Sequence, residues 1–307
     1  MPPAIATELL RCPRCVAPLA ATAAALTCTR CHRAFPIVDG VPVFVEWSES
    51  QEVEHRLRDE VAAQFREQPL EATLHRLGHH HHVAIMEAAA LDFASRVGRG
   101  CIVDIGAGWA WHWRNYAGPV PIVAIDFSLE NCRLARATFL RGNPYVLAVC
   151  ADARHLPIAS ATGLWSVQTF QHFPPDVMSP VIAEAVRLAG PDGLDAEIVN
   201  LNPVWFVRAI HTLVGRRYLM RGSNGKFYLH RRRAQELAAL FAQVACDLEI
   251  RYSELFFHPD LFIRWRRRYP RALERWLSTR PAARWLARQV HLRFRIPSAA
   301  ATSVAYA

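Results

Sequence analysis

The stretch Cys101-Ile-Val-Asp-Ile-Gly-Ala-Gly-Trp-Ala110 decides how the rest of the chain is read. The apolar and β-branched positions around Asp104 predict a short buried strand. The Gly-Ala-Gly after it is a tight turn where backbone approaches a neighbour closely. Residues 109–117 read as a short helix. A second apolar run, Pro121-Ile-Val-Ala-Ile-Asp126, ends in a carboxylate twenty-two residues after Asp104. Strand, glycine turn, helix, strand and acid form a βαβ unit of the kind that binds a nucleoside.

The third residue after Gly108 decides between nucleosides. A dinucleotide fingerprint needs a small residue there for close helix–strand packing. This chain has Trp111, which disfavours NAD and FAD. An acid, one residue, then Gly-x-Gly-x-Gly resembles the motif of S-adenosylmethionine (SAM) methyltransferases of the type 11-like group. Asp104, Gly106 and Gly108 match it, and Ala110 stands where a third glycine is usual. Asp126 would accept both ribose hydroxyls with its two oxygens.

The resemblance extends through residues 100–202. Ser128 to Arg141 reads as a helix capped by Ser128. Tyr145–Cys150 is a third strand, followed by Asp152, where the family's acid takes the adenine amino group. Leu164–Phe170 is a fourth strand, leading into Gln171-His-Phe-Pro-Pro175, which resembles the loop bordering the methyl group. A helix over 176–189, Pro191-Asp-Gly193 and a strand over 196–201 complete the match. The resemblance implies an α/β, Rossmann-like seven-stranded sheet with helices on both faces. It also implies a cofactor site made of Asp104, Gly106, Ala107, Gly108, Asp126, Phe127, Asp152, Ala153 and Gln168. His172 is the candidate general base, the alternative being a histidine bonded within its own loop.

Near the N-terminus, Cys12-Pro-Arg-Cys15 and Cys28-Thr-Arg-Cys31 form two knuckles. Four thiolates give the closed tetrahedral shell of structural zinc, so Cys12, Cys15, Cys28 and Cys31 are the expected ligands. Two disulfides or redox thiols are the alternatives, and a cytoplasmic chain argues against disulfides. His32 is adjacent but not needed. Phe35-Pro-Ile-Val-Asp-Gly-Val-Pro-Val-Phe44 then reads as a hairpin around Asp-Gly. Residues 8–45 resemble the small zinc-ribbon proteins that activate tRNA and protein methyltransferases. The ribbon and the methyltransferase domain are expected to have separate cores.

At 307 residues the chain allows one large domain and a small one. The expected division is a ribbon over 8–46 and a helical linker with cofactor-covering helices over 47–98. The methyltransferase domain follows over 99–297, with insertions near 203–230 and 258–288, and a disordered tail over 298–307. Residues 48–67 read as an amphipathic helix. Successive helix positions face different ways, so the tract His79–His82 cannot hold one ion with all four rings. One of those rings is a candidate for facing the acceptor.

No run of 18 apolar residues occurs, so no transmembrane helix is expected. The start lacks a charged segment before a long apolar run, which predicts no signal peptide and a cytoplasmic protein. Charge is uneven. Residues 1–200 carry 16 Lys/Arg against 21 Asp/Glu, and residues 201–307 carry 20 against 6. Near the C-terminus, Leu261, Trp265, Tyr269, Leu273, Trp276 and Leu277 share one helical face with arginines on the other. The expectation is a helix pair packed on its own domain. Contact with anionic lipid or with nucleic acid are the rival readings.

SAM carries a methyl already activated on sulfonium, so a site needs chiefly to position the acceptor and exclude water. The chain has no cysteine pair dedicated to RNA cytosine chemistry. It also has no Asn/Asp-Pro-Pro-Tyr motif of amino-group methyltransferases. The expected function is O-methylation of a small molecule or glycan. An RNA methyltransferase and a non-catalytic SAM-fold subunit that recruits partners are the alternatives.

Overall fold

The computed structural model describes residues 8–45, 80–203, 228–255 and 271–298, with short pieces at 56, 59–60, 62–63, 209, 212–213 and 221–223. The N-terminal part is a four-stranded antiparallel sheet of β1 (Leu19–Ala21), β2 (Ala25–Cys28), β3 (Ala34–Val38) and β4 (Val41–Pro42). The β3–β4 turn is the expected Asp39-Gly40, both residues at positive φ, as a tight hairpin requires.

The main sheet has seven strands: β5 (Ile102–Ile105), β6 (Ile122–Asp126), β7 (Val146–Cys150), β8 (Gly163–Val167), β9 (Leu194–Leu201), β12 (Cys246–Ser253) and β13 (Gln289–Ile296). Their spatial order is β12-β13-β9-β8-β5-β6-β7. Strands β5 to β9 pair in parallel, and β13 runs antiparallel to both its neighbours. The order reverses at β5, where the chain crosses from one half of the sheet to the other, and ligands bind at such a switch point. Residues of β5, β6 and β7 are buried on both faces, which is why they read as apolar runs rather than alternating ones. A separate small ladder joins β10 (Arg221–Ser223) to β11 (Tyr228–His230).

Helix α1 (His80–Val97) covers one face, packing Met86, Ala90, Phe93 and Val97 against Ile102, Trp165 and Val199. Helix α2 (Leu129–Leu134) lies on that same face, burying Cys132, and continues as a π-helical turn over Ala135–Phe139. Ser128 caps α2 by accepting from the Asn131 N–H, as the sequence predicts. Helices α3 (Pro175–Leu188) and α4 (Ala234–Phe241) cover the other face with Val181, Leu188, Leu237 and Phe241. Beyond the sheet edge lie α5 (Arg271–Leu277) and α6 (Ala283–Leu286).

Three expectations are corrected. The short helix expected over 109–117 is only a single turn of 3-10 helix over Trp111–Trp113. Ala110 at φ 50° breaks the helical path, and His112 and Trp113 turn inward to hydrogen-bond Asp104. The ribbon and the large domain do not have separate cores. Leu10, Leu26, Phe35 and Phe44 belong to the same apolar cluster as Val149, Leu156 and Ile158. Backbone bonds seal the join: Arg11 N–H donates to Pro157 at 2.8 Å and Phe44 N–H to Cys150 at 2.8 Å. Finally, Leu273 and Trp276 are exposed rather than packed on the domain; Leu277 alone of the described trio turns inward. Residues Leu261, Trp265 and Tyr269 lie outside the described residues, as do most of the 48–67 helix, His79, most of the 203–230 insertion and nearly all of the tail. The fragments of the 48–67 segment that are described are helical. No helix among the described residues is long and apolar enough to cross a membrane.

Candidate cofactor cavity and metal centre

A cavity of about 440 Å³ opens at the carboxyl ends of β5, β6, β7 and β8. Of the residues expected in the cofactor site, Gly106, Gly108, Asp126, Phe127, Asp152, Ala153 and Gln168 line it, and so does His172. Thr169, Arg154, Phe173 and Asp176 also line it and were not singled out from the sequence.

The glycine turn has two distinct jobs. A Cβ on Gly106 would lie 2.2 Å from the Thr169 side chain, whose hydroxyl donates to the Gly106 carbonyl at 3.0 Å. Gly106 therefore lets the ends of β5 and β8 close on each other. Gly108 has φ +56° and nothing within 4 Å of where a Cβ would sit, so its backbone borders open space. Gln168 lies at φ 56° immediately after β8, a left-handed conformation costly for a side chain of that size, and it borders the cavity.

Asp104 and Ala107 do not line the cavity. Asp104 lies fully buried below the turn, where one carboxylate oxygen accepts from His112 Nε2 and Trp113 Nε1, both at 2.8 Å. It thereby locks the turn that carries the glycines. Asp126, at the end of β6, accepts from the Gly108 N–H at 2.9 Å on one oxygen. The other oxygen accepts from the Ser128 N–H at 2.9 Å and from Asn131 Nδ2 at 3.1 Å. These donors engage both oxygens of the carboxylate. Asp152, after β7, is gripped by Arg154 through Nε and a terminal nitrogen at 2.6–3.1 Å. The hydrogen bond and charge of Asp152 raise the Arg154 pKa.

His172 sits in a directional chain of bonds. The Leu201 N–H donates to Gln171 Oε1 at 3.1 Å, which turns the Gln171 amide nitrogen toward His172 Nε2 at 3.3 Å. On its other side His172 Nδ1 faces the Tyr228 carbonyl at 2.8 Å. An amide nitrogen only donates and a carbonyl only accepts, so the imidazole carries its proton on Nδ1 and accepts at Nε2. His82 is the one member of the histidine tract whose side chain is described. It donates to the buried carboxylate of Glu254, which also accepts from Arg288 at 2.9 Å, and it does not line the cavity.

The four cysteine sulfurs lie within 4.8 Å of one another, with Cys12–Cys31 at 3.7 Å and Cys15–Cys28 at 3.5 Å. Tetrahedral zinc with bonds near 2.3 Å separates its sulfurs by roughly 3.8 Å, so the cluster fits that ion. The Cys31 and Arg30 N–H groups donate to Cys28 Sγ at 3.3 and 3.4 Å. They bring the Cys28 thiol down to about 6, so it is readily a thiolate. No other group with metal-ligand spacing is found among the described residues, and His32 is outside the set.

Residues 102–193 match the family model described as a methyltransferase domain, and residues 6–40 match that of Trm112p-like protein. These matches and the geometry assign a methyltransferase domain to residues 102–193 and a Trm112p-like zinc ribbon to residues 6–40. No curated protein sequence matches the chain. Among solved structures, similarity extends to 1,6-didemethyltoxoflavin-N1-methyltransferase of Burkholderia thailandensis, solved with S-adenosylhomocysteine. It is 15% identical with a TM-score of 0.47, covering 88% of this chain and 98% of that one. A SAM-dependent methyltransferase from Archaeoglobus fulgidus is 11% identical with a TM-score of 0.45, covering 81% and 100%.

Proposed function

We propose that this protein transfers the methyl group of SAM to a hydroxyl of a small molecule or glycan. The observation that carries this reading is the bond chain through Gln171 and Tyr228, which holds His172 beside the cavity as the Nδ1–H tautomer with Nε2 in the accepting role. An acceptor hydroxyl must lose its proton as the new bond to carbon forms. An imidazole held as the Nδ1–H tautomer is suited to take it.

SAM supplies the electrophilic methyl when bound. Gly106 and Gly108 would lie against its methionine half and ribose, Asp126 would meet the ribose hydroxyls, and Asp152 the adenine amino group. The apolar walls Ile105, Ile125, Phe127 and Val167 suit an adenosine and exclude water from it. A hydroxyl that enters would hydrogen-bond His172 Nε2 in place of the Gln171 amide. In the proposed step the acceptor oxygen bonds to the methyl carbon, the carbon–sulfur bond breaks onto sulfur, and His172 holds the released proton. The test is incubation of the protein with SAM and fractionated small-molecule extract, followed by mass spectrometry. Products gaining one methylene at an oxygen support the reading; methylation at nitrogen, or of RNA alone, overturns it.

A further inference from the structure

Helices α5 and α6 are amphipathic the wrong way round for packing on their own domain. Inward they present Leu277 and Ala283, with Ala287 just past α6, packed with Leu255 and Tyr252. Four other large apolar side chains face out. Leu273, Trp276, Trp285 and Leu286 are 46%, 59%, 52% and 44% exposed. Arg280 lies over the Trp276 ring at 5.0 Å and Arg284 over the Trp285 ring at 4.7 Å. Arg275, Arg280 and Arg284 are all exposed, and none pairs with a carboxylate among the described residues. Between 271 and 288 the sequence holds five arginines and a single acid, Glu274.

We infer that this face docks on an anionic lipid surface. Two indoles, each beside a guanidinium, suit the headgroup level, where an aromatic ring is half wet and an arginine meets phosphate. The exposed Leu273 and Leu286 decide against nucleic acid, because an aliphatic side chain has neither a stacking face nor a charge to offer it. The docking face also lies on the side of the cavity. Strand β12 runs parallel to β9, so its carboxyl end is at the same edge of the sheet as those of β5 to β8. Asn202, just past β9, ties α6 there by donating to the Arg284 and Ala287 carbonyls at 3.0 and 2.8 Å. A chain seated on lipid through α5 and α6 therefore turns the cavity edge, not the opposite one, toward the membrane.

The experiment is sedimentation of the full chain with vesicles of equimolar phosphatidylcholine and phosphatidylglycerol, against phosphatidylcholine alone. Binding should be about tenfold or more tighter to the anionic vesicles and should weaken with salt. The double change Trp276→Ser and Trp285→Ser should abolish most of it while the melting curve stays that of the parent. If that variant misfolds, Leu273→Ser with Leu286→Ser makes the same measurement. A parent that does not pellet with anionic vesicles overturns the inference, as does a folded variant that pellets as well as the parent. Retention of an oligonucleotide or self-association in place of vesicle binding, lost in the same variant, also overturns it.

Discussion

Phe44 donates its backbone N–H to the carbonyl of Cys150, so the zinc ribbon ends on the strand that delivers Asp152 to the cofactor cavity. Val43 bridges Cys150 in parallel, and Phe44 is buried in the core that holds Val149. The ribbon covers part of the outer edge of β7, an edge that would otherwise be open.

Loss of zinc should therefore reach the cofactor. Cys28→Ser is expected to release the metal and unfold the ribbon, because binding energy in such sites is folding energy. SAM affinity should fall by about tenfold, roughly 1.4 kcal/mol. Metal analysis followed by calorimetry checks it. A zinc-free protein with parental SAM affinity would show that the shared core does not couple the two parts.

Asp126→Ala should weaken SAM by about 1.5–3 kcal/mol, the scale of hydrogen bonds to a charged group. It should also lower the melting temperature, because the Gly108 and Ser128 N–H groups and the Asn131 amide lose their acceptor. Calorimetry giving unchanged affinity would remove Asp126 from the site.

The tautomer of His172 can be read without knowing the acceptor. Nitrogen NMR of histidine-labelled protein, assigned with His172→Gln, should show the proton on Nδ1. Gln171→Leu should relax that preference, since the amide that donates to Nε2 is gone. Against an identified acceptor, His172→Ala should lower kcat by roughly 10²–10⁴. A proton found on Nε2 in the parent would remove His172 as the base.

Acid should unfold the chain through two buried carboxylates. Burial alone would raise the pKa of Glu197, but the hydrogen bond and charge of His291, then Arg293 and Arg96, outweigh it and hold it below the ordinary carboxylate range. Glu254 is likewise lowered despite burial, by His82 and Arg288. Because the native pKa lies below the unfolded one, this stabilisation is complete above the unfolded value of about 4.3 and is lost as pH falls through the native one. Glu197→Gln should be less stable than the parent at neutral pH, with the gap closing below that value. Denaturant melts across pH measure it; a pH-independent gap would show that Glu197 is not ionised in the fold.

Much of the fold was legible because buried parallel strands leave apolar runs and glycine turns leave short motifs. Cys101 to Asp126 fixed the switch point, and the cysteine spacing marked the metal cluster. What the sequence hid was tertiary. Nothing local says that Asp104 would be claimed by His112 and Trp113. The helical period over 261–277 marks an apolar stripe, but the stripe does not say which side faces the domain. Of the described residues in that stripe only Leu277 turns to the domain, beside Leu255, Ala283 and Ala287.

The central claim is that the cavity between Asp126 and Asp152 is a SAM site. Calorimetric titration of the zinc-loaded chain with S-adenosylhomocysteine, and separately with NAD, tests it most directly. One saturable site for S-adenosylhomocysteine and no heat with NAD is the predicted result. A folded chain that takes up NAD, or that shows no binding of S-adenosylhomocysteine, would contradict it.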